Sequence, residues 1–205
     1  MSWKTRWCGG FLGLLMLAGG GAWASPGNEK IIYLHHSTGG VIWDGGIPEW
    51  FDAFNGARGT HYEITSVEFP KDAPYGWNNY PYDYWNIWVQ HAGEDPYQEE
   101  PTLEILTRTY DVIVWKHCFP VSELEENTGN PDVGSSTRSQ ENYRLQYLAL
   151  REKMRSFPQT LFVVWTGAVH LQANLAEEQA LRMRDFVQWI RTIWDEPGDN
   201  IVVWD

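Results

Sequence analysis

A chain of 205 residues is long enough for one substantial core and short for two, so a single domain is expected. Its 27 acidic residues outnumber 15 lysines and arginines, and a formal net charge of −12 repels phosphate backbones, which argues against a nucleic-acid partner. Of the two cysteines, Cys8 lies in an N-terminal segment of export type, so only Cys118 would persist, excluding an internal disulfide and metal sites built on clustered cysteines.

That segment carries Lys4 and Arg6, an apolar run over 11–18 and small residues ending in Ala22-Trp23-Ala24, the order of a cleaved secretory signal. The run is broken by glycine and falls short of the ~20 residues a bilayer span needs. The expectation is a signal peptide over 1–24, export to the periplasm or the cell exterior, no stable membrane insertion, and a mature domain over 25–205.

The apolar run 31–34 opens onto His35-His36-Ser37-Thr38-Gly39-Gly40, a buried strand ending in a tight, glycine-permitted turn. Pro48 suits a first helical turn, with Trp50, Phe51 and Phe54 as the apolar face. Residues 62–69 alternate imperfectly and read as a second strand at a sheet edge. The stretch 75–89, dense in Trp, Tyr, Asn and Pro, reads as a long structured loop with at most one helical turn.

A β-branched run over 111–115 is the third strand and delivers Lys116, His117, Cys118, Phe119 and Pro120 at its end. A polar excursion over 125–136 reads as flexible. Tyr143, Tyr147, Leu150 and Met154 share one face of a helix over 139–155. The fourth strand, 160–165, leads through a loop to a helix over 175–194, with Asn174 and Glu177 as capping pair and Leu181, Phe186, Trp189, Ile190 and Ile193 as buried stripe. Residues 201–204 are the fifth strand. This alternation calls for right-handed crossovers and a mainly parallel five-stranded sheet with helices on both faces, with the site in the loops after Leu34, Phe69, Trp115, Trp165 and Trp204.

Ser37 sits where a nucleophile would meet converging backbone N–H groups; the alternative is that it satisfies backbone groups in a turn. Its surroundings carry a resemblance: Ile31-Ile32-Tyr33-Leu34-His35-His36-Ser37-Thr38-Gly39-Gly40 resembles the first block of SGNH/GDSL-like hydrolases, in a divergent branch where His-Ser replaces Gly-Asp-Ser. The segment 110–120 and the last helix and strand extend the resemblance over nearly all of the mature chain. It implies a single flavodoxin-like α/β domain and serine ester hydrolysis. Carried over, Ser37 is the nucleophile, Gly39 and Gly76 mark the backbone oxyanion donors, and His117 could donate in place of the family's asparagine, because Lys116-His117-Cys118 stands where Gly-x-Asn-Asp is expected. The family's Asp-x-x-His follows the last strand, whereas this sequence stops at Asp205, so a truncated chain is one expectation and a base rebuilt from His170 another; His170 reads equally as a substrate contact or a hydrogen-bonded surface residue.

Trp77, Tyr80, Tyr82, Tyr84, Trp85 and Trp88, interleaved with Asn78, Asn79, Asp83 and Asn86, suit stacking on a sugar ring, or equally the packing that holds a long loop without a disulfide. The substrate-contact candidates are His36, Trp77, Asn79, Tyr82, Trp85 and His170. No cofactor or metal is called for: the acidic clusters at 99–100 and 123–126 lack calcium-loop spacing and read as solvated faces, and Cys118 reads as a small buried residue. The expected partner is a small-molecule ester or acylated glycan, with a non-catalytic carbohydrate-binding protein on the same fold as the alternative.

Overall fold

The computed structural model describes residues 26–167 and 170–205; the stretch read as a signal peptide lies outside the described residues. In chain order the elements are β1 (Lys30–His35), α1 (Thr38–Asp44), α2 (Ile47–Arg58), β2 (Glu63–Glu68), α3 (Pro81–Trp85), α4 (Leu103–Leu106), β3 (Val112–Trp115), α5 (Gln140–Arg155), β4 (Leu161–Trp165), α6 (Glu177–Trp189) and β5 (Ile201–Trp204). The five strands form one sheet in the order β2-β1-β3-β4-β5, every pair parallel. This is the α/β architecture expected, with β2 at an edge.

From β1 the chain steps outward to β2, then reverses across β1 to β3 and continues in that direction. With right-handed crossovers, this reversal puts α1 and α2 on the sheet face opposite to α3, α5 and α6. It also makes the β1/β3 junction the topological switch point, where strand ends diverge and leave a crevice. Leu34 pairs with Trp115 at that junction, so the residues that follow, His35 to Thr38 and Lys116 to Cys118, face each other across it.

The core lies between the sheet and the α3, α5, α6 layer. Ile32 and Leu34 of β1 point into it with Ile113, Trp115, Phe162 and Val164, and meet Tyr143, Tyr147, Leu150 and Met154 of α5, as the spacing of that helix predicts. Large aromatic rings carry much of the buried area here: Trp88, Trp115, Trp194, Tyr84 and Phe186 are all less than 2 % exposed. No described helix is long and apolar enough to cross a membrane.

Five local expectations are corrected. Residues 81–90 are helical, α3 running into a π-helical turn over Asn86–Gln90. Tyr84, Ile87 and Trp88 are all buried, and a helix covered on most sides shows no clean amphipathic period. α6 is capped at Ala176, whose N–H donates to Gln179 Oε1 at 3.2 Å, rather than by Asn174 and Glu177. It ends in a second π turn, Ile190–Trp194, whose wider spacing brings Trp194 into the core in place of Ile193, while Leu181 is also exposed.

Trp50, Phe51 and Phe54 of α2 are not buried; they pack on each other and on Tyr62, beside an edge strand that offers little sheet to cover. The excursion over 125–136 is irregular but pinned rather than loose: Glu141 Oε1 accepts from the Thr128 and Gly129 N–H groups, and Gln146 donates to the carbonyls of Val133 and Ser135.

Candidate functional site at the β1/β3 switch point

β1 ends in a buried histidine. His35 is 8 % exposed, its Nε2 lies 2.6 Å from Ser66 Oγ on β2, and burial, reinforced by the Lys116 charge, holds its pKa below the ordinary value. The chain then turns at Ser37, which is exposed and has φ of +43°, a left-handed conformation that a non-glycine residue adopts only under constraint. Ser37 is the N-cap of α1. The serine is thus presented to solvent at the crest of the crevice.

The expected oxyanion donors are otherwise engaged. The Gly39 N–H donates to His36 O at 2.9 Å, and the glycine itself answers a steric demand, lying against the His35 side chain. Gly76 has φ of +76° and donates its N–H to Asp72 O. His117 is 1 % exposed among the rings of Tyr84, Trp115 and Tyr147. Burial drives its pKa down to about 3, so the ring is neutral. Its Nδ1 lies 2.9 Å from the Asn79 carbonyl, which requires the proton on Nδ1, and Nε2 is left without a donor hydrogen or a partner. All three were placed by position in a motif, whereas the fold gives each a partner of its own, local for Gly39 and Gly76 and 38 residues distant for His117.

A residue not singled out for chemistry occupies the crevice instead. Lys116, 4 % exposed, donates from Nζ to Thr38 Oγ1 at 3.3 Å, and Thr38 Oγ1 also lies 3.8 Å from Cys118 Sγ. Burial lowers the Lys116 pKa. The available signal was a lysine directly after the apolar run 112–115, with no acidic residue within four positions of it. Cys118 is buried, as expected.

Beneath the crevice Asn79 acts as a clamp. Its amide donates to Phe69 O and contacts the Tyr84 hydroxyl, both at 2.9 Å, while its Oδ1 accepts from the Cys118 N–H. It joins the loops after β2 and β3 and, at 1 % exposure, has no face for a ligand. Trp77 and Trp85 are likewise buried in the core. For these three residues packing is the role the structure displays.

Beside this network lies an open cleft of about 570 Å³ walled by Tyr75, Trp77, Tyr80 and Tyr82, with Asp83 and Arg138 among its polar groups. Burial lifts the Asp83 pKa to about 6, against the opposing pull of backbone N–H groups from Tyr80, Asn78 and Asn79. Arg138 stacks over Tyr80, donates to its hydroxyl at 3.2 Å and pairs with Glu123 at 2.9 Å. The acidic cluster at 123–126 is therefore in part ion-paired rather than wholly solvated.

His36 Nε2 is 3.2 Å from Glu68 Oε1, within ion-pair reach but off the hydrogen-bond line. His170 packs on Phe119, takes Ser122 Oγ on its backbone N–H and lies 3.7 Å from Glu123. None of the described contacts joins it to Ser37. Among the described residues no group of three or more His, Cys, Asp or Glu could hold a metal ion.

No family model matches the chain, and no curated protein sequence does. Among solved structures it is similar to a gut microbial diltiazem-metabolizing enzyme, with a TM-score of 0.50 and 11 % identity over 90 % of this chain and 38 % of that one. The chain thus spans well under half the length of that enzyme, and at this identity the likeness is one of fold.

Proposed function

We propose that the protein is an exported serine ester hydrolase of the SGNH type, acting on small esters or acylated carbohydrate, with Ser37 as its nucleophile. The observation that supports this best is Ser37 itself, exposed in a left-handed turn at the end of β1, at the switch point of a parallel sheet. Such crevices are where open α/β sheets bind their ligands. Backbone strain held at one exposed serine is the kind of constraint that functional sites keep. The resemblance of the block around Ser37 and the fold likeness to an enzyme run in the same direction; export rests on the N-terminal charge, apolar and small-residue order.

In this reading the Ser37 Oγ attacks the acyl carbonyl, the alcohol departs, and water releases the acid from the acyl-enzyme. The test is hydrolysis of a chromogenic acetate together with labelling by a fluorophosphonate. Ser37→Ala is expected to abolish both, and turnover unchanged in that variant would overturn the proposal.

A second reading, a non-catalytic carbohydrate-binding protein, is favoured by the aromatic cleft, whose flat faces and polar groups suit a hydroxylated ring.

A further inference from the structure

Lys116 is a buried cation with too few partners. An ammonium carries three donors, and the acceptor it meets is one neutral hydroxyl, Thr38 Oγ1. No carboxylate lies within 4.0 Å of Nζ among the described residues. The titratable groups around it are His35, held toward its neutral form by burial, the neutral His117, and the Cys118 thiol; Tyr84 reaches its backbone carbonyl with a hydroxyl. Burying a charge without an anion is costly. The arrangement therefore calls for a negative charge that the protein itself does not supply.

The location says which charge. Thr38 follows Ser37, and its hydroxyl accepts from the Lys116 ammonium, so the cation sits one residue along the turn from the serine, at the same crevice. The donors expected for an oxyanion there, Gly39, Gly76 and His117, are engaged elsewhere or buried in the core. We propose that Lys116 and Thr38 form an anion subsite beside Ser37, which takes the oxyanion of the acyl intermediate during turnover and the carboxylate product after it. The catalytic half of this rests on the reading of Ser37 as nucleophile; the carboxylate-binding half does not.

The electron accounting is that of ordinary acyl transfer. As the Ser37 Oγ–C bond forms, the carbonyl π pair moves onto oxygen and faces Lys116 Nζ. When that pair returns, the bond to the leaving alcohol breaks and the alcohol oxygen takes up the proton lost by Ser37. Lys116 keeps its protons throughout and acts by charge alone. Because burial lowers its pKa, the subsite empties on the alkaline side at a pH below that of a free lysine.

The experiment uses the full chain with Lys116→Met, Lys116→Arg and Ser37→Ala. Acetate binding is followed through the NMR signals of isotope-labelled lysine, and chromogenic acetate hydrolysis is followed against pH. Acetate is expected to shift one lysine signal in the wild type and in Ser37→Ala, and that signal is expected to be missing in Lys116→Met. Lys116→Met is expected to lower kcat about 100-fold or more, the loss typical of one oxyanion donor, with KM little changed. Lys116→Arg is expected to retain part of kcat and lose the alkaline fall, since a guanidinium does not titrate there.

An acetate response absent from the wild type, or the same in Lys116→Met, overturns the subsite. A Ser37-dependent kcat that Lys116→Met leaves within twofold overturns its catalytic role. A Lys116-dependent acetate response with turnover indifferent to Ser37→Ala supports the subsite while the hydrolase reading falls.

Discussion

A methyl group placed on Gly39 would lie 2.3 Å from the Cβ of His35. The clash is with the root of a side chain whose ring is held against Ser66, so no flexible end can swing away. Gly39→Ala must therefore push α1 off β1 or unseat His35, and overpacking of this kind costs about 1–3 kcal/mol. We expect a lower urea midpoint and, because Ser37 rides on the same turn, weaker fluorophosphonate labelling of the protein that remains folded. An unchanged midpoint would show that the turn can breathe.

Asn79 supports the crevice from below. Its φ of +63° is left-handed, and its side chain satisfies Phe69 O, Tyr84 and the Cys118 N–H. Leaving buried groups unpaired costs about 1–3 kcal/mol each. Asn79→Gly keeps the backbone conformation open and loses only the clamp, whereas Asn79→Ala also meets the left-handed penalty of about 1 kcal/mol. Both are expected to destabilise, with Ala worse than Gly, as read by urea unfolding of the two variants.

Two buried groups give opposing pH dependences. The Asp83 pKa is raised to about 6 in the folded protein, so its protonated form is favoured there, and this contribution to stability is lost as pH rises from about 4 through 6. His117 has a pKa lowered to about 3, so its neutral form is favoured, and that contribution is lost as pH falls from about 6.5 toward 3. Between pH 4 and 6 the two partly cancel. At 1.36 kcal/mol per unit, the Asp83 shift corresponds to about 3 kcal/mol. Asp83→Asn should gain on the wild type by up to that amount between pH 4 and pH 7; urea midpoints of the two proteins that run parallel over this range would contradict it.

The strands and α5 were legible because one physical pattern governs each: a short β-branched run for β3 and β5, a four-residue aromatic and aliphatic stripe for Tyr143, Tyr147, Leu150 and Met154. The turn at Ser37 was legible because the strand-to-turn transition is local. Failures arose where tertiary structure decides. The helix over 81–90 is covered on most sides and so has no polar face to announce it, and the π turn after Trp189 exchanges Ile193 for Trp194 through backbone geometry that no side-chain pattern encodes. Lys116 was read only as part of a motif, since its partner, Thr38, lies 78 residues away in sequence. His117 was missed for the same reason, its Asn79 carbonyl lying 38 residues away, whereas the Gly39 and Gly76 N–H groups are taken by local turns, by His36 O and Asp72 O, that a motif match does not weigh.

If the cleft at Tyr75, Trp77, Tyr80 and Tyr82 binds a sugar ring, the half-buried Tyr82 keeps part of its ring free to stack, whereas Trp77 is buried. Tyr82→Ala should then weaken saccharide binding about tenfold, near 1.4 kcal/mol, as followed by tryptophan fluorescence across a panel of oligosaccharides. Trp50 on α2, 56 % exposed and remote from the cleft in sequence, serves as the control: Trp50→Ala should leave affinity unchanged. No saccharide response in the wild type would remove the binding reading.

Ser37 permits a test that separates its chemistry from its conformation. With φ of +43° it sits where glycine is at ease and alanine is not. If the strain is maintained for the hydroxyl, both Ser37→Gly and Ser37→Ala abolish acyl transfer, but they part in stability: Gly relieves the backbone while Ala retains it, a difference of about 1 kcal/mol or more. Against this, glycine raises the entropy of the unfolded chain and withdraws part of the gain. The expected order of urea midpoints is therefore Ser37→Gly at or above Ser37→Ala, with fluorophosphonate labelling lost in both. A Ser37→Ala protein more stable than Ser37→Gly would mean that the turn carries no strain worth relieving, and the argument from strain to nucleophile would fall with it.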